Sequence, residues 1–482
     1  MTPSVLGTLV VVVPLLGALG LLVRPVRSHA PPVLVGVAAL SFALALLAAT
    51  APAALGASPA WGRVALDATA RLFLGAVDAI FLGVSAYAWA RAAAAPELRP
   101  RMARFSALAL LFLASANAAL VIRDLRAAWL ALELSTFAAA PLVVRPGVPS
   151  SVRASFRYVV FSSVGLGLAF LGLLCLARGA EAAGLTASFQ PEALAALAVR
   201  GGPWTKLGLA LALLGFGTKL GLAPMWSWLP EVYDEAPPAV AALLGAVQFN
   251  CALVLLFRLV HAFKPALPGL IAGELLAMGI ASMAVSTASL VATRNLKRLV
   301  AYAAVNHAGV IAIGLGLGRG ASFGLLVYVL SNAFIKAILF LTAGKIKAHY
   351  GTKDTRQLSG LVVDLPYSGV FLMVGTFALL GFPPFGSFVG ELLILSALVG
   401  SGHVVVFAAF CLLLAITFVA TGRTIFPMIW GAPAPPSRWP RQTLLSASPK
   451  LLFLAGLLAL GVYIPSGVGA LLQEVAASLE AP

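Results

Sequence analysis

Runs of about twenty apolar residues alternate along this chain with short polar stretches, the period of helices that cross a bilayer. Fourteen runs occur, at roughly 4–23, 32–54, 72–92, 104–122, 125–144, 157–178, 207–228, 238–262, 269–292, 298–317, 321–344, 367–399, 403–427 and 449–470. In lipid the backbone has no water to bond with, so each run is expected to close its hydrogen bonds within itself as a helix. The pattern predicts an all-α polytopic membrane protein of about 14 spans. A signal peptide is the competing reading of the first run, but no Lys or Arg precedes it, and it is kept as a span. No Pro- or Ser-rich linker divides the series, and the tail after Pro465 is expected to add no element, so residues 1–482 form a single transmembrane domain.

Two runs carry interruptions. The seventh reads GFGTKLGLAPMWSWLP, with Lys219 followed by Pro224 and Pro230, and the twelfth reads LLGFPPFGSFVGELLIL, with Pro383 and Pro384 in its middle. Proline removes a backbone donor and clashes with the preceding turn, so both helices should break. A packing kink explains either break alone. Two breaks five spans apart, each near an ionisable residue (Lys219 and Glu391), instead predict inverted repeats around a midplane path, as transporters build them. The repeats are expected at 103–262 (spans 4–8) and 267–428 (spans 9–13), with 1–92 and 449–482 peripheral.

Composition agrees. Hydrophobic residues make up 61% and charged ones 10%, against roughly 45–50% and about 25% in soluble domains, and the mean hydropathy is +1.02. A soluble enzyme, a disordered chain and a coiled coil are excluded. The net charge of +16 comes from short Lys/Arg clusters between spans and not from a basic domain, so it marks topology and not nucleic acid. Of the 32 Lys and Arg, 20 follow the odd-numbered spans and 10 the even-numbered ones, Lys219 and Lys336 lying inside spans. The positive-inside rule then places the odd-numbered loops in the cytoplasm and both termini outside. The clusters Arg91 to Arg104 and Lys345 to Arg356 read as topological anchors. Cys175, Cys251 and Cys411 stand singly in apolar segments, which gives no pattern for iron–sulfur, zinc or haem ligation. The GLGLGRG run near residue 317 lies inside a span and carries no phosphate chemistry. No cofactor is expected.

An ionisable residue at the centre of a span costs about 2.5–3.5 kcal/mol on insertion scales and so needs a reason. Glu133, in WLALELSTFAAAPLVV, lies near the middle of its span. Lys219 is its expected partner: burial favours a neutral amine and a nearby carboxylate favours the charged one, so making or breaking the pair moves a proton. Lys336 shares a helix face with Asn332 at i,i+4 spacing, and His307 lies about ten residues into span ten. Histidine titrates nearest working pH, which suits a relay, although a lone buried histidine also serves as a packing residue. Glu391 follows the break of span twelve and would end the second half-path. Asp78 and Glu274 lie closer to span ends, where snorkelling accounts for them.

These residues carry a resemblance. The stretches ASFRYVVFSSVGLGLAFLG, GFGTKLGLAPMWSWLPEVYDEAPPAVAALLGAVQFNCALVLLFR, NLKRLVAYAAVNHAGVIAIGLG, SNAFIKAILFLTAG and GFPPFGSFVGELLIL resemble the antiporter-like proton-translocating subunits of respiratory complex I and its relatives. Within that superfamily the chain is most similar to the component F type of hydrogenase-4 and formate hydrogenlyase membrane arms, from about residue 60 to about 430. The resemblance implies that Glu133 faces a neighbouring subunit, that Lys219 serves the first half-channel, and that His307, Lys336 and Glu391 continue a polar axis along mid-membrane. It also implies partners, namely other membrane-arm subunits and hydrophilic redox subunits that perform the electron transfer. The end of the chain after span fourteen implies that no long lateral helix follows. Three positions depart from the family: Asn250 where complex I subunits usually have lysine, Asn332 for a common histidine, and Asn295 for the aspartate before Lys297-Arg298. Asparagine holds a water but takes up no proton at neutral pH, so the central relay is either weakened or carried by water.

The expected function is proton translocation, driven by redox chemistry in partner subunits and performed by a chain with no redox centre. A cation/proton antiporter, as in multi-subunit sodium antiporters, or an ion-driven inorganic-carbon uptake subunit is the first alternative, since one fold serves both. A membrane anchor that has lost its path is the second. The Ala-, Leu- and Arg-rich composition suggests a high-GC bacterium and hence the bacterial inner (cytoplasmic) membrane.

Overall fold

A computed structural model describes residues 3–50, 64, 66–432 and 444–480. The predicted end of span two at 51–54, and Arg63, Arg438 and Arg441 of the charge tally, lie outside the described residues. The helices are α1 Pro3–Gly20, α2 Arg24–Arg27, α3 Ala30–Thr50, α4 Ala68–Ala94, α5 Arg99–Val121, α6 Leu125–Val143, α7 Pro149–Ala182, α8 Pro191–Arg200, α9 Pro203–Leu220, α10 Trp228–Glu235, α11 Pro238–Ala242, α12 Phe249–Phe263, α13 Pro268–Ala292, α14 Leu296–Leu317, α15 Ser322–Tyr350, α16 Leu361–Asp364, α17 Pro366–Leu379, α18 Gly386–Gly400, α19 Val404–Trp430, α20 Leu444–Val462 and α21 Ser466–Glu480. Among the described residues there is no β-strand, only two isolated bridges. Among the described residues ten helices are long and apolar enough to cross a membrane, so the protein is an all-helical polytopic membrane protein.

Start signals are local. Asp67, Asp124 and Asn295 cap α4, α6 and α14 by accepting backbone N–H bonds that the first turn cannot pair internally. α11 and α12 form one continuous helix joined by a π-helical stretch, Leu243–Gln248. The most apolar 18 residues of that helix are all buried, as are 94% of those of α14 and of α15, against only 17% for α19, which faces outward. The bundle is therefore centred on α12, α14 and α15, whose mid-span polar side chains are buried with the apolar ones. α7 and α9 meet where a Cβ added at Gly172 would lie 2.6 Å from the Gly208 carbonyl oxygen, so only glycine permits this approach of the two backbones.

Both predicted breaks occur. α9 ends at Leu220 on Gly221, whose φ of 78° is a left-handed cap and whose missing Cβ leaves room for Leu229. The freed amide of Ala223 donates to Ser282 Oγ at 2.8 Å, and Trp228 Nε1 donates to the Thr218 carbonyl at 3.1 Å. The twelfth run splits into α17 and α18, and Ser387 Oγ donates across the gap to the Ala378 carbonyl at 2.6 Å.

Three expectations are corrected. The tail after Pro465 does form an element, α21, bent 68° from α20 and fixed by Arg71 on Glu474 at 2.7 Å and by Gly320 N–H on Glu480 at 3.1 Å. The helix of the last apolar run, α20, accordingly ends at Val462, well before the expected 470. Asp78 does not snorkel: it is fully buried in the middle of α4, where Ser41 Oγ (2.5 Å) and Asn117 Nδ2 (3.4 Å) donate to its Oδ1. α4 starts at Ala68 and partners on α3 and α5 replace the solvent, which is why distance from the run's end misled. Glu274, near the start of α13, is partly exposed as expected.

Candidate functional site

A chain of buried polar side chains crosses the middle of the bundle. On α6, Glu133 is 9% exposed, and its Oε1 accepts from Ser163 Oγ of α7 at 2.5 Å. Lys219 occupies the last turn of α9, where the helix dipole favours a cation. Its Nζ donates to Thr136 Oγ1 at 2.6 Å, Ser162 Oγ at 2.5 Å and Tyr158 OH at 3.4 Å, and lies 4.8 Å from the centre of the Tyr158 ring. No ion pair joins Glu133 to Lys219 among the described residues, so the expected contact is replaced by hydroxyls. The reason is geometric. Thr136 lies three residues beyond Glu133 on α6, while Ser162 and Ser163 are neighbours on α7 that turn to the lysine and the glutamate respectively.

From Lys219 the polar contacts continue inward. Tyr158 OH donates to Gln248 Oε1 at 2.5 Å, and Gln248 Nε2 donates to Ser135 Oγ at 2.8 Å. Gln248 closes the π-helical stretch, a helix defect frequent at functional sites. The following residue, Phe249, offers its ring to Lys336, whose Nζ is 3.5 Å from the ring centre. Asn250 donates to the Ala246 carbonyl at 2.7 Å and leaves its Oδ1 unpaired.

On α15, Tyr328, Asn332 and Lys336 are spaced at i, i+4 and i+8 and so line one face. All three are buried, and both polar atoms of the Asn332 amide lack a partner. Tyr328 OH bonds to His307 Nδ1 of α14. His307, Tyr328 and Glu391, with Asn306 and Thr417, line a cavity of about 10 Å³, roughly the room for one water. Glu391 in the first turns of α18 is 6% exposed, and its Oε1 is unpaired.

The structure thus places Glu133 and Lys219 in one cluster and His307 and Glu391 in another, with Asn250, Asn332 and Lys336 between them. Sequence reasoning missed the hydroxyls Thr136, Tyr158, Ser162 and Tyr328 and the amide Gln248. The i,i+4 pair of Tyr158 with Ser162, and of Tyr328 with Asn332, was the available signal.

A second cluster closes one end of the bundle, outside the apolar spans. Asp234 is 1% exposed, and it accepts from Lys353 Nζ (2.6 Å), Asn295 Nδ2 (3.0 Å) and Arg298 Nε (3.1 Å). Lys297 Nζ donates to the Asp234 and Ala236 carbonyls at 2.5 and 2.7 Å. Glu235 pairs with Arg145 and accepts from Ser150 Oγ at 2.9 Å. Burial pushes the Glu235 carboxyl up, but the Ser150 hydroxyl and the Lys353 and Arg145 charges outweigh it and hold the group below the usual carboxylate range. Asn295 here both caps α14 and donates to Asp234.

Comparison with known proteins follows this geometry. Residues 123–417 match the family model described as NADH:quinone oxidoreductase/Mrp antiporter, transmembrane. The hydrogenase-4 component F homolog of Methylacidiphilum infernorum is 30% identical over 383 residues, covering 77% of this chain and 78% of that protein. NADH-quinone oxidoreductase subunit N 1 of Solidesulfovibrio magneticus is 29% identical over 371 residues, covering 76% and 75%. A chain in the Mrp complex from Dietzia superimposes with a TM-score of 0.86 at 23% identity, covering all of this chain and 98% of that one.

Proposed function

The chain belongs to the NADH:quinone oxidoreductase/Mrp antiporter transmembrane family, and from that premise we propose that it moves protons as the antiporter-like subunit in the membrane arm of a respiratory or hydrogenase-linked complex. The observation that carries the reading is the run of buried polar groups from Glu133 through Lys219, Tyr158, Gln248, Lys336, Asn332 and His307 to Glu391. Such groups are costly in a bilayer and are kept where protons or ions pass. Redox chemistry belongs to partner chains. A charge change near one end shifts Glu133 relative to Lys219, the lysine gives or takes a proton through the Tyr158 and Ser162 hydroxyls, and the proton proceeds by Lys336 and His307 toward Glu391. Asn250 and Asn332 take no proton themselves. Their unpaired amide atoms are sites that a water fills, so the centre of the path is carried by water.

The same reading extends to architecture. Fourteen crossings follow when α6, α9, the α17–α18 pair and α20 join the ten long helices. Residues 103–262 and 267–428 form inverted repeats, each with one broken helix, within a single domain. The termini lie outside: α21 bonds to Arg319 and Gly320, at the poorly charged end of the bundle, while the Lys- and Arg-rich loops face the cytoplasm. The membrane is the bacterial inner membrane.

The test is Lys219→Ala in the intact complex, followed by proton uptake into vesicles. Translocation should stop while the complex still assembles; undiminished uptake would sink the proposal. A cation/proton antiporter, including an inorganic-carbon uptake subunit, is the second reading, favoured by the match in fold to a chain of the Mrp complex. It predicts sodium-dependent transport that persists without any electron donor.

A further inference from the structure

At the end of the bundle where α6 leads toward the Asp234 cluster, a groove of about 1090 Å³ runs between the helix ends of α1–α5. Its floor is apolar, formed by Leu21, Leu22, Ala107 and Leu108, with Pro141 of α6 at one side. Arg27, Arg99 and Arg104, all exposed, stand on its walls with Ser28 and Trp89. Arg27 Nε donates to the Leu21 carbonyl at 3.3 Å, which fixes its guanidinium over the floor. Among the described residues no acidic side chain lines the groove; Glu97, two residues before Arg99, lies in the adjoining turn.

Three guanidiniums around one concavity repel each other unless an anion sits between them, and their planar donor forks match phosphate. The volume exceeds the roughly 300–1,000 Å³ of ordinary small-molecule sites, so it far exceeds what a single phosphate would fill. An apolar floor beneath a cationic rim suits an amphiphile. The indole of Trp89, 44% exposed, sits where aromatic side chains meet lipid headgroups.

We propose that this groove binds an anionic glycerophospholipid, with its phosphate on Arg27, Arg99 and Arg104 and its glycerol and upper acyl chains on the leucine and alanine floor. The lipid comes from the leaflet at this end, cytoplasmic in the orientation given above, and wedges α1–α3 against α4 and α5. Basic pockets between membrane helices hold such headgroups.

The experiment uses the complex purified in mild detergent and depleted of lipid, then supplied with phosphatidylglycerol, cardiolipin, phosphatidylcholine or inorganic phosphate. Native mass spectrometry and thermal unfolding are the readouts. The proposal expects bound phosphatidylglycerol or cardiolipin and a raised unfolding midpoint, with phosphatidylcholine ineffective. The triple variant R27Q/R99Q/R104Q should weaken anionic-lipid binding about tenfold or more, while R101Q, which removes an exposed charge outside the groove, should leave it unchanged. If the triple variant does not fold, R104Q alone, read by crosslinking to a photoactivatable phosphatidylglycerol, must lower labelling of α5. Equal binding of phosphatidylcholine, an equal midpoint shift from inorganic phosphate, or loss of a partner subunit instead of lipid in the variants would each overturn the proposal, the last by showing that the groove holds an acidic protein segment.

Discussion

At the level of single residues, the informative contacts are those between ionisable groups and hydroxyls. Lys219 donates to the Thr136, Ser162 and Tyr158 hydroxyls and makes no direct contact with a carboxylate among the described residues, so its hydrogen bonds go to groups that can rotate between accepting and donating when it changes protonation state. Among the described residues, Tyr158 alone hydrogen-bonds to both Lys219 and Gln248. Tyr158→Phe therefore cuts the link between the lysine and the π-helical stretch while keeping the ring and its packing. Proton uptake into vesicles should fall by about an order of magnitude, the scale of losing one well-placed proton-transfer group, with assembly unchanged; wild-type rates would mean that the proton bypasses this hydroxyl. Glu391→Gln should lower translocation similarly, because the amide cannot carry a proton, and Glu391→Asp should retain part of it. The ionisable members of the site were legible in sequence because each stands out against an apolar run. The hydroxyls and Gln248 were not, since Ser, Thr and Tyr are unremarkable in membrane helices and only the register of α6 on α7 and of α9 on α7 shows which of them meet Lys219.

Among elements, lipid made the long crossings legible, as every one must be a long apolar run, and proline marked both breaks. What stayed hidden depends on packing alone. α8 and α21 are short amphipathic helices whose residues read as loop, and α21 is held by distant partners, Arg71 and Gly320. Asp78 looked like a span-end residue until α3 and α5 supplied Ser41 and Asn117. The break in the seventh span depends equally on a neighbour, for the amide of Ala223 is satisfied by Ser282 of α13. Ser282→Ala strands a buried donor and should cost about 1–3 kcal/mol. Denaturant-induced unfolding in detergent would record it, and no change would mean that the break finds another acceptor.

Across the whole molecule, the two proposed repeats are joined at one end by the Asp234 cluster. Asp234 and Glu235 come from the first; Asn295, Arg298 and Lys353 come from the second. Asp234 pairs with Arg298 and Lys353, and Glu235 with Arg145 and Lys353, while the buried Lys297 ammonium is held by the Asp234 and Ala236 carbonyls. Asp234→Ala should destabilise the fold by about 1–3 kcal/mol, since it strands the Asn295 donor and removes the carboxylate beside the buried Lys297, while Arg298 and Lys353 can turn to water, whereas Arg356→Ala, which breaks an exposed pair with Asp354, should be nearly neutral. The cluster also sets a pH response. The Glu235 carboxyl is held below its ordinary range by Ser150, Lys353 and Arg145 against the upward push of burial. A depressed carboxyl contributes stability above its unfolded pKa of about 4.3 and loses it as pH falls through the lower folded value. The partial exposure of Glu235 keeps the effect modest. Acid unfolding of the wild type should therefore include a component near and below that pH, which Glu235→Gln removes, and a variant with the same acid profile as wild type would place the acid sensitivity elsewhere in the bundle. Because this cluster lies next to the broken seventh helix, through Trp228 and α10, the same substitution tests whether the seam between the halves also positions Lys219. If it does, Glu235→Gln will slow proton uptake at neutral pH, where its effect on stability has already levelled off.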